Sequence, residues 1–475
     1  MGQGILFSTR HDGAFEEGVH GVRSTIDSSF IVFAHCQSTF NAHMGVCISL
    51  LDHDGNYYST LSFGDSLNDY NLGDDPASKT TDGHFALSVS MGTSASLWYL
   101  NDVGDTLWTV RPFAGPADAS EASGTAIARN GDLLLFGSVL HPGMAKRLFL
   151  ARYSPSGIIH WLREYGDVGS WQRYAIQMDT LTNGGFVLSG MRIDLFGTDS
   201  DTWLIGADSS GTVLWEHYID TPGEDGSRPV VSLPNNEFMV GGFIKAENPN
   251  QPGDYCCPSP YFARYTGAGD LLWDSVYVGG GNEIYSFDMC LAADGSVLSS
   301  GAAASQYGMR AYLFDVGLNG DSLWHHQYFA PDGSCINYSY LPYSLMAESQ
   351  NSIVIAGVVG ACNNDQWIMR TDGQCMPPPT IMLWNSIAEE NHQQGEVSIS
   401  PNPTSGAITI KTDASARDVD LVSVFDLSGR SVRQVTPIAL SNMIDTDLGD
   451  LANGTYIVIV RDRLSHRWHK AVIKN

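Results

Sequence analysis

The sequence predicts an all-β chain, a seven-bladed β-propeller followed by a small β-sandwich. Three observations predict it. A glycine stands four residues before a tryptophan five times, at Gly104–Trp108, Gly157–Trp161, Gly211–Trp215, Gly269–Trp273 and Gly320–Trp324. A repeat of about fifty residues is the size of a propeller blade or a solenoid unit. Few windows carry an apolar period of ~3.6 residues, so helices are not expected. Charged residues are only 16% while Gly numbers 50 and aromatics reach 11%, a composition that suits a folded β protein and not a disordered one.

Each unit opens on a turn. Asp27, Asp82, Asn130, Asn183, Asn235, Asp294 and Gln350 stand three residues before Phe30, Phe85, Leu133, Phe186, Phe238, Val297 and Ile353. Asp82-Gly83, Asn130-Gly131, Asn183-Gly184 and Asp294-Gly295 supply the positive φ of tight hairpins. An apolar strand follows and ends near Gly92, Gly137, Gly190, Gly242, Gly301 or Gly357. After a variable loop comes a second strand, as at Trp98–Leu100, Leu148–Leu150, Trp203–Ile205, Tyr261–Ala263, Tyr312–Phe314 and Trp367–Met369, and then the Gly-x-x-x-Trp strand. Four short strands in such a stretch make one blade, and the turn markers count seven.

The seventh unit lacks its tryptophan strand. After Asp372-Gly373 the chain reads Gln-Cys-Met-Pro-Pro-Pro, and proline cannot donate to a ladder. Ile5–Arg10 resembles the missing strand, so the N-terminal strand is expected to close the ring over residues 4–376 and leave no open sheet edge. An open solenoid is the alternative. Residues 377–396 read as a Pro-rich and then polar linker. Residues 397–475 read as β-strands at Val397–Ser400, Ala407–Lys411, Leu421–Asp426, Ser431–Val435, Gly454–Arg461 and His469–Lys474. Alternation and turns make this a sandwich of six or seven strands, immunoglobulin-like in type.

Lys plus Arg total 25 against 52 Asp plus Glu, a net charge of −27. Such a surface repels phosphate backbones and anionic lipid, so neither nucleic acid nor membrane insertion is expected. No apolar run approaches the ~20 residues of a transmembrane helix. Gly4–Phe7 is too short for a secretory h-region, so the chain reads either as cytosolic or as starting after a removed signal. Eight cysteines fit an oxidising compartment. Cys36 and Cys47 lie in successive strand-like runs and are the expected disulfide. Cys335, Cys362 and Cys375 cluster late, Cys256-Cys257 are neighbours, and no C-x2-C pair points to zinc.

Four blocks of the tail carry a resemblance. They are Ser400-Pro401-Asn402-Pro403-Thr404-Ser405-Gly406, Val424-Phe425-Asp426-Leu427-Ser428-Gly429-Arg430, Leu451-Ala452-Asn453-Gly454-Thr455-Tyr456-Ile457-Val458 and Lys470-Ala471-Val472-Ile473. In this order they resemble the type A C-terminal sorting domain of the type IX secretion system of Bacteroidota. The resemblance implies export across the outer membrane, docking of the tail on the secretion machinery, and cleavage in the linker at about Trp384–Glu396. The protein is then expected to be secreted or displayed on the cell surface.

Candidate chemistry is thinner. Ala151–Trp161 and Ala263–Trp273 are similar to the tryptophan-docking motif of quinoprotein dehydrogenase propellers, whose quinone lies beside a vicinal cysteine pair. That motif's acidic position is Tyr153 and Tyr265 here. Docking tryptophans also lock neighbouring blades whatever the function, so Trp108, Trp161, Trp215, Trp273 and Trp324 are read as structural. Asp52-His53-Asp54-Gly55-Asn56 looks like half a calcium loop, but its twelfth position is Phe63 where a bidentate Glu is needed. Asp194, Asp199 and Asp201 are the weak calcium candidates, with Asp65, Asp69, Asp74 and Asp75 as another acidic stretch. Otherwise no cofactor is expected.

Tyr255, Tyr261 and Trp171 are candidates for stacking on sugars. No Gly-x-Ser-x-Gly elbow or phosphate loop is present, and no carboxylate pair is singled out. The reading leans to a non-catalytic adhesin, glycan-binding module or extracellular structural protein with an unidentified protein or glycan ligand. The alternative is an exported enzyme, a polysaccharide hydrolase or lyase, or a quinone-dependent oxidoreductase.

Overall fold

The computed structural model describes residues 5–371 and 397–474 apart from segments 12–16, 28, 38–42, 74–75, 114, 116–117, 167–170, 195–199, 221–224, 248–254, 278–283, 306–307, 329–338, 350–351, 361–363, 413–418, 427–430, 436–442 and 463–466. It divides into two compact units, Met1–Met376 and Pro377–Asn475. Every regular element among the described residues is a β-strand.

Among the described residues, the first unit is a propeller-like succession of seven antiparallel sheets. The first sheet runs Glu17–Ser24, Phe30–Cys36, Gly45–Leu51 and Tyr57–Phe63, each strand hydrogen-bonded to the next. Five more follow the same order and end at Val110, Tyr165, Ile219, Val276 and Tyr328. In the second sheet the innermost strand is broken into Tyr70–Asn71 and Ala77–Lys79. The seventh sheet consists of Ser339–Ser349, Ser352–Gly360, Asn364–Thr371 and, outermost, Ile5–His11. That strand pairs antiparallel with Asn364–Thr371, from Ile5 opposite Thr371 to His11 opposite Gln366.

Side chains of a strand alternate between faces, and each sheet spends both faces on its neighbours. In the strand Leu133–Leu140, Leu133 and Leu135 pack with Ala86, Leu97 and Tyr99 of the second sheet. Leu134 and Phe136 pack with Phe186, Leu188 and Trp203 of the fourth. This two-sided burial explains the continuous apolar runs. Seven such clusters join successive sheets, and one of them sets Val19, Phe30, Val32 and Leu51 of the first sheet against Val354, Ala356 and Ile368 of the seventh.

The glycine–tryptophan repeat works between units. At Gly157 the amide donates to the Ser154 carbonyl at 2.9 Å, and φ is +83°, closing a type I turn with a left-handed glycine. A Cβ here would lie 3.3 Å from the indole of Trp108, which belongs to the preceding sheet. Gly211 meets Trp161, Gly269 meets Trp215 and Gly320 meets Trp273 in the same way, at 2.9, 2.8 and 3.2 Å. The indole N–H of Trp108, Trp215 and Trp273 donates to the carbonyls of Pro155, Gly267 and Leu318, at 3.2, 3.1 and 2.8 Å.

A β-bulge sets each indole. Leu100 pairs with Thr106 and Tyr99 with Trp108, so Leu107 is squeezed out of register. Leu214, Leu272 and Leu323 are expelled likewise before their tryptophans. These leucines are about half exposed. They are the counterpart of an indole turned inward.

The second unit has a sheet of Val397–Ser400, Ala407–Thr412 and Met443–Asp447, and another of Ser431–Val435, Val419–Asp426, Gly454–Asp462 and Arg467–Lys474. Both contribute to one core, Ile408, Ile410 and Ile444 from the first and Val422, Val424, Tyr456, Val458 and Val460 from the second. Met443–Asp447 is a seventh strand, within the six or seven expected but not among the six segments named from the sequence.

Candidate functional site

Among the described residues, the innermost strands of the seven sheets contribute to the lining of a cavity of about 410 Å³, with Arg23, Lys79, Gln177, Asp179, Asp288 and Cys290 among its polar residues. Its polar groups are tied to neighbouring sheets. Asp179 accepts hydrogen bonds from the amides of Thr180 (2.6 Å) and Ser232 (2.7 Å). Asp288 accepts from the amides of Met289 (2.8 Å) and Leu345 (2.7 Å), and from Gln177 Nε2 at 3.0 Å. Gln177 Oε1 in turn accepts from Val230 N at 2.8 Å. Lys79 Nζ donates to the Thr25 carbonyl (3.1 Å) and Ser78 to that of Thr125 (2.8 Å). Burial, with Asp288 and Asp315 nearby, pushes the Cys290 thiol up, so it is held protonated and not as a thiolate.

Six innermost strands carry a bulge, placing His20, Ser123, Ile176, the pair Arg228-Pro229, Phe287 and Tyr343 out of register. The described lining residues of those strands follow these positions in sequence. The rings of His20 and Tyr343 stack at 5.7 Å, and Phe287 reaches Tyr343 at 5.6 Å. These rings lie towards the end where innermost strands begin. His20 also meets His35 at 4.2 Å, and His35 Nε2 accepts the Leu72 amide at 2.6 Å. Burial pushes the His20 ring down to about 4 and the His35 ring, beside it, to about 3, so both are neutral at pH 7.

That end of the sheets also carries the side-chain clusters that differ from sheet to sheet. Cys36 and Cys47 form a disulfide with Cα atoms 5.7 Å apart. His141 places Nδ1 2.8 Å from Asp118 and Nε2 3.0 Å from Glu164, whose other oxygen accepts from Arg147 at 3.0 Å. On the fourth sheet, Arg192 lies over the rings of Trp171 (4.6 Å) and Tyr218 (4.0 Å) and pairs with Asp201.

Several sequence expectations meet a different environment. Asp201 is buried and paired with Arg192, a fixed cation in the place a calcium ion was expected. The side chain of Asp194 and all of Asp199 lie outside the described residues. Among the described residues, no group of three or more His, Cys, Asp or Glu converges as a metal site. Asp65 and Asp69 hold their own loop, accepting from Leu67, Asn68 and Tyr70 and from Met44 respectively. Tyr261 is 7% exposed in a core cluster, so it offers no stacking face, and Trp171 is covered by Arg192. Asp74, Asp75, Cys335, Cys362, Cys375 and the linker cut site lie outside the described residues, as do the side chains of Tyr255, Cys256 and Cys257.

In the second unit the tail blocks converge. Asn402 Oδ1 accepts the Ile473 amide at 2.9 Å, and Thr404 N donates to the Ile473 carbonyl at 2.8 Å, so the opening block runs along the closing strand. Both Pro401 and Pro403 follow cis peptide bonds. Gly406 accepts the Leu448 amide through its carbonyl at 2.9 Å. Gly454 pairs with Lys474, whose Nζ reaches Asn453 Oδ1 at 3.4 Å, and Tyr456 donates to the Ala452 carbonyl at 2.6 Å. Lys470 pairs with Val458 and Asp426 with Tyr456 through the backbone, while Gly429 lies outside the described residues. Of the 25 basic and 52 acidic residues, only 9 and 8 belong to 397–475, so the acidity resides before it.

Residues 398–474 match the model of the secretion system C-terminal sorting domain. This tail is a type IX sorting domain, and it indicates export to the cell surface or the extracellular space. No curated protein sequence matches the chain. Solved structures similar to it include polysaccharide lyase Uly1 (TM-score 0.46, 9% identity, 74% of this chain and 90% of that one). A protein of unknown function from Dyadobacter fermentans has TM-score 0.44 and 10% identity, over 78% of this chain and 98% of that one. The β-propeller domain of the Trilobed protease from Pyrococcus furiosus has TM-score 0.40 and 10% identity, over 78% and 94%. Likeness at this level carries nothing about activity or ligand. No helix among the described residues is long and apolar enough to cross a membrane.

Proposed function

We propose that residues 4–376 form a closed seven-bladed β-propeller that acts as a non-catalytic binding protein outside the cell, delivered there by the tail. Residues 377–396 are its linker and residues 397–475 an immunoglobulin-like sandwich that docks on the secretion machinery. Supporting the closed ring, the seventh sheet touches the first through an apolar cluster, and Arg370 donates to His53 in the first sheet's outer turn. Arg152 and Arg264 reach the Ser209 and Leu318 carbonyls of the next sheet's outer turn in the same sense.

One observation carries the non-catalytic reading. Asp179 and Asp288, the carboxylates of the axial cavity, accept backbone amides of their own and the next sheet. Amide donors from two sheets fix each carboxylate in place, which serves a staple better than a proton shuttle. The test is turnover. The full chain, incubated with neutral and acidic polysaccharides, is expected to release neither reducing ends nor unsaturated sugars. Release that disappears in Asp179→Asn or Asp288→Asn would make it an enzyme.

A further inference from the structure

We infer that a crescent of aromatic rings at the varied end of the sheets binds an uncharged glycan; this rests on the reading of residues 4–376 as a binding propeller. The rings touch in unbroken order. His35 meets His20 at 4.2 Å, His20 meets Tyr343 at 5.7 Å, and Tyr343 meets Phe287 at 5.6 Å. Phe287 meets Tyr285 at 6.3 Å and Tyr285 meets Phe243 at 5.0 Å. The arc crosses the first, seventh, sixth and fifth sheets. All six residues are half-buried, so each is anchored yet keeps part of its surface in solvent.

Three of these rings are bulge residues, and the ring is not what the bulge needs. The same position holds Ser123 in the third sheet and Ile176 in the fourth. Aromatic bulge residues occur where sheets one, six and seven meet the axis, and bulges are devices for re-aiming a side chain. A pyranose ring presents C–H faces that pack on aromatic surface and hydroxyls at its edge that need partners.

A polar partner is in place. His20 Nδ1 is buried and has no hydrogen-bond partner among the described residues. The ring also bonds the Gly73 backbone, so its proton sits on Nε2 and Nδ1 presents a lone pair. A buried acceptor without a donor is a cost the fold carries, and a sugar hydroxyl supplies the donor. Charge selects the kind of glycan. Residues before 397 hold 16 Lys and Arg against 44 Asp and Glu, a field that repels uronate or sulfated chains.

The experiment titrates the full chain calorimetrically with oligosaccharides of glucan, mannan and xylan, and with alginate and pectate oligosaccharides as anionic probes. At least one uncharged series is expected to bind about tenfold or more tighter than either anionic one. Phe287→Leu and Tyr343→Ala are each expected to weaken that binding about tenfold, the scale of a lost ring contact. His20→Phe keeps a ring but removes the acceptor and is expected to weaken it several-fold. Tyr58→Ala, on the first sheet's outer edge, is expected to bind as the parent chain does. Phe287→Leu keeps apolar bulk, so it serves if Tyr343→Ala does not fold. The inference is overturned if no uncharged series binds, if an anionic one binds tighter, or if folded crescent variants bind like the parent. Turnover of the bound sugar would instead defeat the non-catalytic reading, so the two failures are distinct.

Discussion

The two ends of the sheets in the first unit obey different rules. At one end, turn after turn repeats a left-handed glycine at φ near +85°, from Gly83 and Gly131 to Gly157, Gly211 and Gly269. The outer turns of that end receive the tryptophan of the sheet before. At the other end, among the described residues, the first, third and fourth sheets differ: the first carries a disulfide, the third a histidine between two carboxylates, the fourth an arginine between two rings. Repetition marks what every sheet needs in order to meet its neighbour. Variation marks where sheets are free to differ, and loops on a rigid scaffold are where binding is built.

The sharpest way to break this comparison is to remove one member of the repeated end. Trp215→Ala deletes an indole that packs on Gly269 and Phe238 and donates to Gly267, and it should cost about 2–4 kcal/mol in chemical denaturation. Tyr343→Ala, half-buried at the varied end, should cost clearly less. Equal losses would erase the distinction. Next in size is the disulfide. Cys36 and Cys47 are 11 residues apart, so reduction should lower stability by about 2–3 kcal/mol, seen as an earlier urea midpoint with reductant present. An unmoved midpoint counts against the bridge.

Acid should weaken the varied end selectively. His20 and His35 ionise in the folded chain near 4 and 3 against an ordinary 6.5. An unfolded chain binds protons first, so their contribution is whole above about pH 6.5 and is lost as pH falls towards 4 and 3. His20→Phe should flatten that fall, and an identical acid profile would refute the assignment. His141 has the opposite sign. Hydrogen bonds to Asp118 and then Glu164 raise its ionisation above 6.5, because both ring nitrogens face carboxylates and only the imidazolium donates from both. Its contribution is whole below 6.5 and fades as pH rises through the raised value. The group is partly exposed, so the effect should stay under ~1 kcal/mol. An NMR titration of the His141 ring reads it directly, and an ordinary midpoint would exclude the double contact.

Much of this was legible in the chain because repetition makes weak signals add. One turn glycine says little, but Gly104–Trp108 and its four copies give a period. Ile5–Arg10 stood out as a strand because the seventh unit lacked one. The partner of each tryptophan was not legible, since Trp108 meets Gly157 of the following unit and not its own Gly104. The bulges left no mark either, because a one-residue slip changes register without changing residue types. Met443–Asp447 leaves little strand pattern in the sequence because it carries a single wholly inward apolar residue, Ile444. The crescent was invisible for a related reason. His20, Tyr343 and the neighbours Tyr285 and Phe287 are far apart in sequence and come together only once the first, sixth and seventh sheets meet.

The most direct test of the claim that the varied end binds and the repeated end builds is hydrogen exchange on the full chain, with and without a bound uncharged oligosaccharide. Slowed exchange is expected around His20, Tyr285–Phe287 and Tyr343, with the turns at Gly83, Gly157, Gly211 and Gly269 unchanged. Protection centred on those turns, with the crescent unaffected, would contradict it.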